Sequence, residues 1–175
     1  MGLFMAHGLQ RQRAMLLLVM GVAGVGKTTV GTELALQLGW TFLDADDDQP
    51  PDNVDQMRAG IALTDAERAP WLAAVRARVQ RHLARGENVV LACSALKQAY
   101  RDYLTTGAGR AVVVQLAAPE AILRTRLSAR RNHFMPRTLL HSQLEALEPP
   151  TDAIVIDSAM PVGDVVATIR AALGI

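Results

Sequence analysis

The sequence predicts one α/β domain in which five parallel strands are covered on both faces by helices. Short apolar runs alternate with helical patterns along the chain, and a glycine-rich motif joins the first run to the first helical pattern. The 175 residues, half of them hydrophobic, suffice for one buried core. A single cysteine excludes an intrachain disulfide and suits a reducing cytoplasm. A net charge of +1 gives no general attraction to nucleic acid or to an anionic membrane, so neither is expected as a partner.

The strands are expected at five short runs, four of which are apolar nearly throughout, as strands buried on both faces are. The runs are Met15–Met20, Phe42–Leu43, Asn88–Ala92, Ala111–Leu116 and Ala153–Ile156. Residues 1–14 precede the first run and are expected to be a disordered tail, which places the domain at 15–175. The uncharged stretch from 14 to 26 is too short to span a bilayer.

Six helices are expected between and after these strands. The first, Lys27–Leu38, repeats apolar residues on one face. Residues 64–67 (Thr-Asp-Ala-Glu) form a capping box that opens a long helix ending at Arg85, with Gly86 as its stop. The other four helices are expected at Ser94–Leu104, Pro119–Arg131, Pro136–Leu147 and Pro161–Leu173. Three of these four begin with a proline, which suits a first helical turn.

The glycine-rich motif fills the phosphate-loop pattern G-x-x-x-x-G-K-[ST], directly after a strand and directly before a helix. Glycines let such a loop wrap tightly, so that backbone N–H groups and the helix N-terminus face a phosphate. Lys27 would bridge the β- and γ-phosphates of ATP, and the Thr28 hydroxyl would bind Mg²⁺. The predicted phosphate-binding residues are Gly21, Val22, Ala23, Gly24, Val25, Gly26, Lys27, Thr28 and Thr29.

The rest of the chain narrows the class of phosphate-loop protein. Cys93-Ser94 follows the third strand where motor ATPases carry an acid, and the Asn-Lys-x-Asp motif of guanine readers does not occur. The second strand instead ends in Asp44 and Asp46, two residues apart and therefore expected on one face. One could support magnesium through water while the other meets a substrate hydroxyl. An aspartate-rich turn without a chemical role is the alternative.

A second charge cluster is basic. Five arginines lie within fourteen residues that contain no acid, and such a cluster is ordinarily a solvated face. In a phosphoryl-transfer protein, guanidinium groups can instead stabilise the charge that spreads over the moving phosphoryl group. The cluster comprises Arg124, Arg126, Arg130, Arg131 and Arg137.

Several separate motifs follow the phosphate loop in a fixed order. They are Phe42-Leu43-Asp44-Ala45-Asp46, Arg68-Ala69-Pro70-Trp71-Leu72, Cys93-Ser94-Ala95-Leu96-Lys97 with Tyr100-Arg101-Asp102, and His133-Phe134-Met135. Together they resemble the gluconate kinase (gluconokinase) family of small P-loop sugar-acid kinases from position 15 onward. The resemblance implies a nucleoside-monophosphate-kinase-like fold, a homodimer, and transfer of the γ-phosphate of ATP to the 6-hydroxyl of D-gluconate with Mg²⁺.

The resemblance also implies roles for individual residues. Asp46 would orient or deprotonate the acceptor hydroxyl, and Asp44 would support the metal through water beside Thr28. Arg68 and Lys97 would meet the substrate carboxylate; alternatively, Arg68 pairs with an acid of its own helix and Lys97 is merely exposed. The arginine cluster would form a lid at 130–137. In and near that lid, the residues expected to act on ATP or substrate are Arg124, Arg130, Arg131 and His133.

The chain also departs from the family pattern. Gln49 stands where the family usually has His, and Gln56 stands where it usually has Lys. Both are expected to flank the acceptor side, so they leave the identity of the sugar acid open. The alternatives are a related kinase for another small polyol acid or for shikimate, and a catalytically weak nucleotide-binding regulator.

Overall fold

A computed structural model describes residues 14–129 and 139–175 of the chain. Five parallel strands form one sheet with the order β2-β3-β1-β4-β5, which confirms the predicted architecture. All five predicted strands are present; β1 has the predicted ends, and the ends of the other four differ from the predicted ones by at most one residue. Their bounds are β1 Met15–Met20, β2 Thr41–Asp44, β3 Val89–Ala92, β4 Arg110–Ala117 and β5 Ile154–Asp157.

Seven helices and one 3₁₀ turn surround the sheet in the described part of the chain, and none of these helices is long and apolar enough to cross a membrane. The predicted ends of two helices at Arg131 and Pro136 fall outside the described residues. The helices are α1 Lys27–Leu38, α2 Pro51–Arg58, α3 Asp65–Ala84, α4 Gln98–Thr105, α5 Glu120–Ala129, α6 Leu139–Ala146 and α7 Val162–Leu173, and the 3₁₀ turn spans Ala45–Asp48.

The central strand explains why the apolar runs show no polar alternation. All six residues of β1 are buried, and alternate side chains enter two different hydrophobic clusters. Leu17 and Val19 pack with residues of α1 and α7, whereas Leu16 and Leu18 pack with residues of α3. Because both faces of the sheet are covered, a polar residue on either face would lose its water.

Two helices differ from the sequence prediction. Helix α2 was not expected, since its sequence is rich in aspartate and proline and buries only Asn53 and Met57. Pro51 suits its first turn, where a missing N–H costs nothing. Helix α4 begins at Gln98 rather than Ser94, because Ala95 has a left-handed φ of 43° that no right-handed helix accepts.

The capping box of α3 is present as predicted. The Glu67 N–H donates to Thr64 Oγ1 at 3.3 Å, and the Thr64 N–H donates to Glu67 Oε2 at 2.6 Å. These two reciprocal bonds satisfy donors that a helix N-terminus otherwise leaves unpaired. They fix the start of α3, and with it the position of Asp65, the first residue of that helix.

Candidate active site

The phosphate loop lies at the carboxyl end of β1 and takes a course that requires glycine. Gly21 has φ 142°, and a Cβ there would lie 2.7 Å from the carbonyl oxygen of Leu116. Gly24 has φ 82°, and its Cβ would lie 3.0 Å from Leu127 Cγ. Any larger residue would therefore push the loop away from β4 and α5. The loop delivers the chain to α1 at Lys27, and among the described residues no side chain caps that helix N-terminus.

The two polar side chains that end the motif point to different partners. Lys27 Nζ donates to the carbonyl oxygen of Val22 at 3.1 Å, so the ammonium group lies over its own loop. Thr28 Oγ1 donates to Asp44 Oδ2 at 2.7 Å. This bond joins the start of α1 to the end of β2 and places a hydroxyl and a carboxylate side by side.

The acidic turn after β2 separates its four aspartates. Asp44 caps the 3₁₀ turn, because its Oδ1 accepts the Asp46 N–H at 3.0 Å. Asp46 is exposed and lines a cleft that also reaches Lys27 and Thr28. The sequence predicted Asp44 and Asp46 on one face of a strand, but β2 ends at Asp44. Asp46 therefore reaches the cleft because the 3₁₀ turn places it there, and not because of strand alternation. Asp47 and Asp48 form the rest of this turn.

Helix α3 holds this turn from behind. Arg78 lies 3.0 Å from Asp48 Oδ2 and 3.7 Å from Asp47 Oδ2, and it also donates to the Asp44 carbonyl oxygen. Partial burial raises the pKa of Asp48, and the Arg78 charge opposes that rise. The buried Trp71 indole N–H donates to the Ala45 carbonyl oxygen at 2.7 Å. With Asp47 and Asp48 committed to Arg78, Asp46 is the carboxylate of the turn that lines the cleft.

Across the cleft, two cations lie beside one carboxylate. Lys97 Nζ is 2.8 Å from Asp65 Oδ1 and 2.7 Å from Oδ2, and the Tyr100 hydroxyl donates to the same carboxylate. These hydrogen bonds lower the pKa of Asp65 and raise that of Lys97. Arg68 Nη1 lies 3.7 Å from Asp65, and its guanidinium lies 6.0 Å from the Tyr100 ring centre.

The loop that carries Lys97 is fixed by a buried arginine. Arg101 is 2% exposed, and its guanidinium donates to the carbonyl oxygens of Ala95 and Leu96 at 2.9 Å each and of Glu148 at 2.8 Å. Burial lowers the pKa of Arg101. Its bonds hold the loop with the left-handed Ala95 against the segment that follows α6. Lys97 therefore projects from a rigid backbone.

One cleft brings together many of the residues that the sequence singled out. Its walls include Lys27, Thr28, Asp46, Arg68 and Lys97. An arrangement with a phosphate loop at one end, a carboxylate beside it and two cations opposite suits the transfer of a phosphoryl group to a small acid.

Comparisons with known proteins agree with this geometry. A family model described as an AAA domain matches residues 16–150. A probable gluconokinase of Xenopus tropicalis is 45% identical over 152 residues, which cover 78% of this chain and 80% of that protein. The gluconokinase of Gluconobacter oxydans is 47% identical over 136 residues, covering 78% and 76%. A solved gluconokinase structure from Sinorhizobium meliloti is 41% identical, has a TM-score of 0.80, and covers 93% of each chain. The chain carries this AAA domain and belongs to the gluconokinase family.

The gluconokinase relatives also bear on the shikimate alternative. A shikimate kinase structure from Aquifex aeolicus is 19% identical with a TM-score of 0.59, so it shares the fold alone. The gluconokinase relatives reach more than twice that identity over most of the chain. The predicted family and its P-loop, nucleoside-monophosphate-kinase-like fold are thereby confirmed.

Sequence reasoning placed one arginine of this gluconokinase-family chain differently from the structure. Arg124 was expected at ATP, but it is exposed on α5, pairs with Glu120 one turn earlier at 2.8 Å, and lines neither the cleft nor the cavity described next. Arg126 instead donates to the Ser158 carbonyl oxygen at 2.7 Å and to that of Val25 at 3.4 Å. It lines a second cavity, which adjoins the phosphate loop and does not include Asp46 in its lining.

The two glutamines that depart from the family pattern, Gln49 and Gln56, differ in their position relative to the cleft. Gln49 lines the cleft and accepts a hydrogen bond from Asn53 at 3.3 Å. Gln56 was expected on the acceptor side, but its amide is directed to Glu67 Oε2 at 3.3 Å, outside the lining of the cleft. The remaining lid residues, 130–137 with Arg130, Arg131 and His133, lie outside the described residues.

Trp71, Tyr100 and Gln143 line the cleft, although the sequence prediction gave them no role. Tyr100 and Trp71 belong to motifs of the resemblance but carry no charge that would have marked them. Gln143 lines the cleft from α6, and its Oε1 accepts the N–H of Ala23 in the phosphate loop at 2.6 Å. The two partners are 120 residues apart, so no local pattern could have indicated this contact.

Proposed function

We propose that the protein phosphorylates D-gluconate at its 6-hydroxyl, with ATP as the phosphoryl donor and 6-phospho-D-gluconate as the product. One observation supports this most strongly: a single cleft contains the phosphate-loop Lys27, the carboxylate of Asp46, and the cations Arg68 and Lys97. A neutral sugar would not need a cation at this part of the cleft, whereas a sugar acid needs one to bind its carboxylate. The gluconokinase relatives support the same substrate.

ATP would bind with its phosphates on the loop from 21 to 29. The uncapped N-terminus of α1 offers N–H groups and the positive end of the helix dipole to the β-phosphate. The cavity lined by Arg126, Ser158 and Met160 adjoins the loop on the side away from Asp46, and we assign the nucleoside to it. Lys27 would then turn from Val22 to the β- and γ-phosphates, where its charge stabilises the transferring group.

The residues at the loop fit a magnesium ion. The Thr28 hydroxyl and Asp44 carboxylate, 2.7 Å apart, are hard oxygen ligands of the kind that Mg²⁺ prefers. Among the described residues there is no cluster of three acidic, histidine or cysteine side chains that would hold a metal alone. This suits Mg²⁺, which binds through one or two protein oxygens together with phosphates and water. When bound, the ion would neutralise charge on the β- and γ-phosphates.

Asp46 would act on the acceptor hydroxyl. It lines the same cleft as the phosphate loop and the two cations, so it would meet the 6-hydroxyl if the substrate carboxylate binds at Arg68. A primary alcohol has a very high pKa, so the carboxylate orients the hydroxyl and accepts its proton late in the transfer. The predicted lid, with Arg130, Arg131 and His133, would close over the reaction. A cytoplasmic homodimer remains the predicted form of the protein.

A coupled assay of ADP release tests this function against its alternatives. The protein would be mixed with Mg²⁺-ATP and, in turn, D-gluconate, other aldonic acids, shikimate and the neutral alditol D-glucitol. We expect turnover to be fastest with gluconate. Faster turnover of another acid or of shikimate would contradict the substrate assignment. Binding of ATP without acid-dependent turnover would indicate the regulator.

A further inference from the structure

The two cations of the cleft are not equally available to a substrate carboxylate. Lys97 already has a carboxylate partner, because its ammonium lies 2.8 Å and 2.7 Å from the two oxygens of Asp65. Arg68 lies 3.7 Å from the same group, which exceeds a hydrogen bond. Both cations pair with Asp65, but a substrate carboxylate hydrogen-bonded to Lys97 would lie closer to the negative charge of Asp65 than one bound to Arg68, and the repulsion between like charges grows as their distance falls.

Arg68 has the better geometry for the acid group. Its planar guanidinium offers a fork of N–H donors that matches a carboxylate with two parallel hydrogen bonds. Its side chain is 24% exposed and lines both the cleft and an adjoining space. The ring of Tyr100, 6.0 Å from the guanidinium carbon, restricts its position on one side.

Asp65, Lys97 and Tyr100 together have the donors and acceptors that a polyol chain needs. A hydroxyl group both donates and accepts hydrogen bonds. Asp65 keeps free acceptor capacity, since a carboxylate has about four lone-pair sites and its side chain is 61% exposed in the adjoining space. The Tyr100 hydroxyl donates to Asp65 and retains lone pairs that accept. Lys97 adds N–H donors at the same place.

All three groups are held on rigid backbone. Asp65 is fixed by the capping box at the start of α3, and Lys97 by the loop that Arg101 binds. Tyr100 lies in the first turn of α4. A site on helix starts can discriminate between hydroxyl positions, because its groups do not move to follow a poorer ligand.

We propose that Asp65, Lys97 and Tyr100 bind the hydroxyl groups of the substrate chain, while Arg68 alone binds its carboxylate. The proposal rests on the proposed function. It divides the acid-binding wall, which we define as Asp65, Arg68, Lys97 and Tyr100, into a part that binds hydroxyl groups and a part that binds the carboxylate. Asp65 thereby becomes a specificity-determining residue. It selects a polyol acid over a simple hydroxy acid, and Arg68 selects an acid over a neutral alditol.

The first test combines a substrate change with a residue change. Wild-type protein and Asp65→Ala are assayed with gluconate and with the deoxygluconates that lack one hydroxyl at C2, C3 or C4. For at least one deoxy acid we expect wild-type kcat/KM to fall by about tenfold or more, because the Asp65 carboxylate and its neighbours lose a hydrogen bond to the substrate. Asp65→Ala should lose a similar factor with gluconate, mainly through KM, and then be indifferent to the same missing hydroxyl.

Two variants keep this test decisive. Asp55→Ala removes an aspartate of the same kind, exposed and paired with Arg58 at 3.5 Å three residues on in α2, but outside the cleft, and should leave kcat/KM unchanged. Tyr100→Phe keeps the ring and removes only the hydroxyl, so it reports on the group even if Asp65→Ala folds poorly. The proposal would be overturned if removal of the substrate hydroxyl lowered kcat/KM in both Asp65→Ala and Tyr100→Phe by the same factor as in the wild type.

The second test separates the cations. Arg68→Met should abolish the preference for gluconate over glucitol, whereas Lys97→Met should lower kcat/KM for both compounds by a similar factor. If Lys97→Met abolishes the preference instead, the division of roles is wrong. Wild-type protein that releases no ADP with gluconate would overturn the proposed function as well. If the wild-type protein phosphorylates gluconate normally, but Asp65→Ala and Tyr100→Phe still lose as much kcat/KM as the wild type when the substrate hydroxyl is missing, only the assignment of these residues to the hydroxyl groups is overturned.

Discussion

Replacing Asp46 by asparagine tests the chemical core of the proposed site. The substitution keeps the size of the side chain and its place on the cleft wall, but removes the negative charge that can accept a proton. The 3₁₀ turn should survive, because its cap is the Asp44 carboxylate bonded to the backbone N–H of residue 46, which the change leaves intact. The turn is also held by Trp71 and Arg78, neither of which contacts the Asp46 side chain in the bonds described above.

The expected effect is a fall in kcat of roughly 10²–10⁴-fold, the usual contribution of a general acid–base group. This corresponds to about 2.7–5.5 kcal/mol of transition-state stabilisation. Asp47→Asn is the matched control, since Asp47 lies one residue on, is 69% exposed, and reaches only as far as Arg78 at 3.7 Å. An exposed ion pair of this length contributes about 0–1 kcal/mol, so the control should lose little activity.

The assay is coupled ADP release at saturating gluconate, with the KM for ATP measured in parallel. Asp46→Asn should lower kcat with little change in the KM for ATP, because the phosphate loop is untouched. Asp44→Asn should instead raise the Mg²⁺ concentration needed for half-maximal rate, since Asp44 contacts Thr28. Normal turnover by Asp46→Asn, together with a large loss in Asp47→Asn or Asp48→Asn, would refute the assignment of the base.

Three further changes test other parts of the account. Lys27→Ala should leave the circular dichroism spectrum unchanged and lower kcat by far more than tenfold, since it removes the charge that stabilises the transferring phosphoryl group; retention of more than about a tenth of the activity, a loss of only about 1.4 kcal/mol, would contradict its role. Gly24→Ala should lower the free energy of unfolding in urea by about 1–3 kcal/mol, because its Cβ would meet Leu127 at a positive φ, whereas Gly163→Ala, with nothing within 4 Å of its Cβ, should raise it or leave it unchanged. Burial raises the pKa of Cys93 from 9.0 to about 12, so this thiol should resist a thiol reagent at pH 8 until urea unfolds the chain. The contribution of the neutral thiol to the free energy of unfolding should fall only as the pH rises from 9 toward 12. Rapid labelling of the folded protein would show that the site opens.

The parts of the fold that the sequence predicted depend on local chemistry. The phosphate loop is contiguous, the positive φ angles of its glycines belong to its own backbone, and the flanking strand and helix have strong patterns. The capping box of α3 acts across four residues. In each case the residues that determine the structure are neighbours in the chain, so the sequence alone is sufficient to indicate it.

The errors arise where distant residues decide. The start of α4 depends on Arg101, which binds Ala95, Leu96 and the Glu148 carbonyl 47 residues away. Arg124 and Arg126 are two residues apart on α5 and therefore about 200° apart around the helix, so the packing of α5 decides that Arg126 is the one that contacts the phosphate loop. A charge count treats the two arginines alike.

The composition of the acid-binding wall could not be foreseen for the same reason. Asp65 and Lys97 are 32 residues apart and belong to different helix starts, which the fold brings together. From the sequence, Lys97 was a cation for the substrate. In the structure it is a cation with a carboxylate already beside it, and this pairing is what shifts the carboxylate role to Arg68.

Phosphorus NMR of the reaction mixture tests the central claim most directly. Protein, Mg²⁺-ATP and D-gluconate would be incubated, and the proton-coupled ³¹P spectrum recorded alongside the ADP formed. The account predicts one new phosphomonoester signal, equal in amount to the ADP and split into a triplet by the two protons on carbon 6. A doublet, which indicates phosphate on a secondary hydroxyl, or ADP formation without any new ester would contradict it.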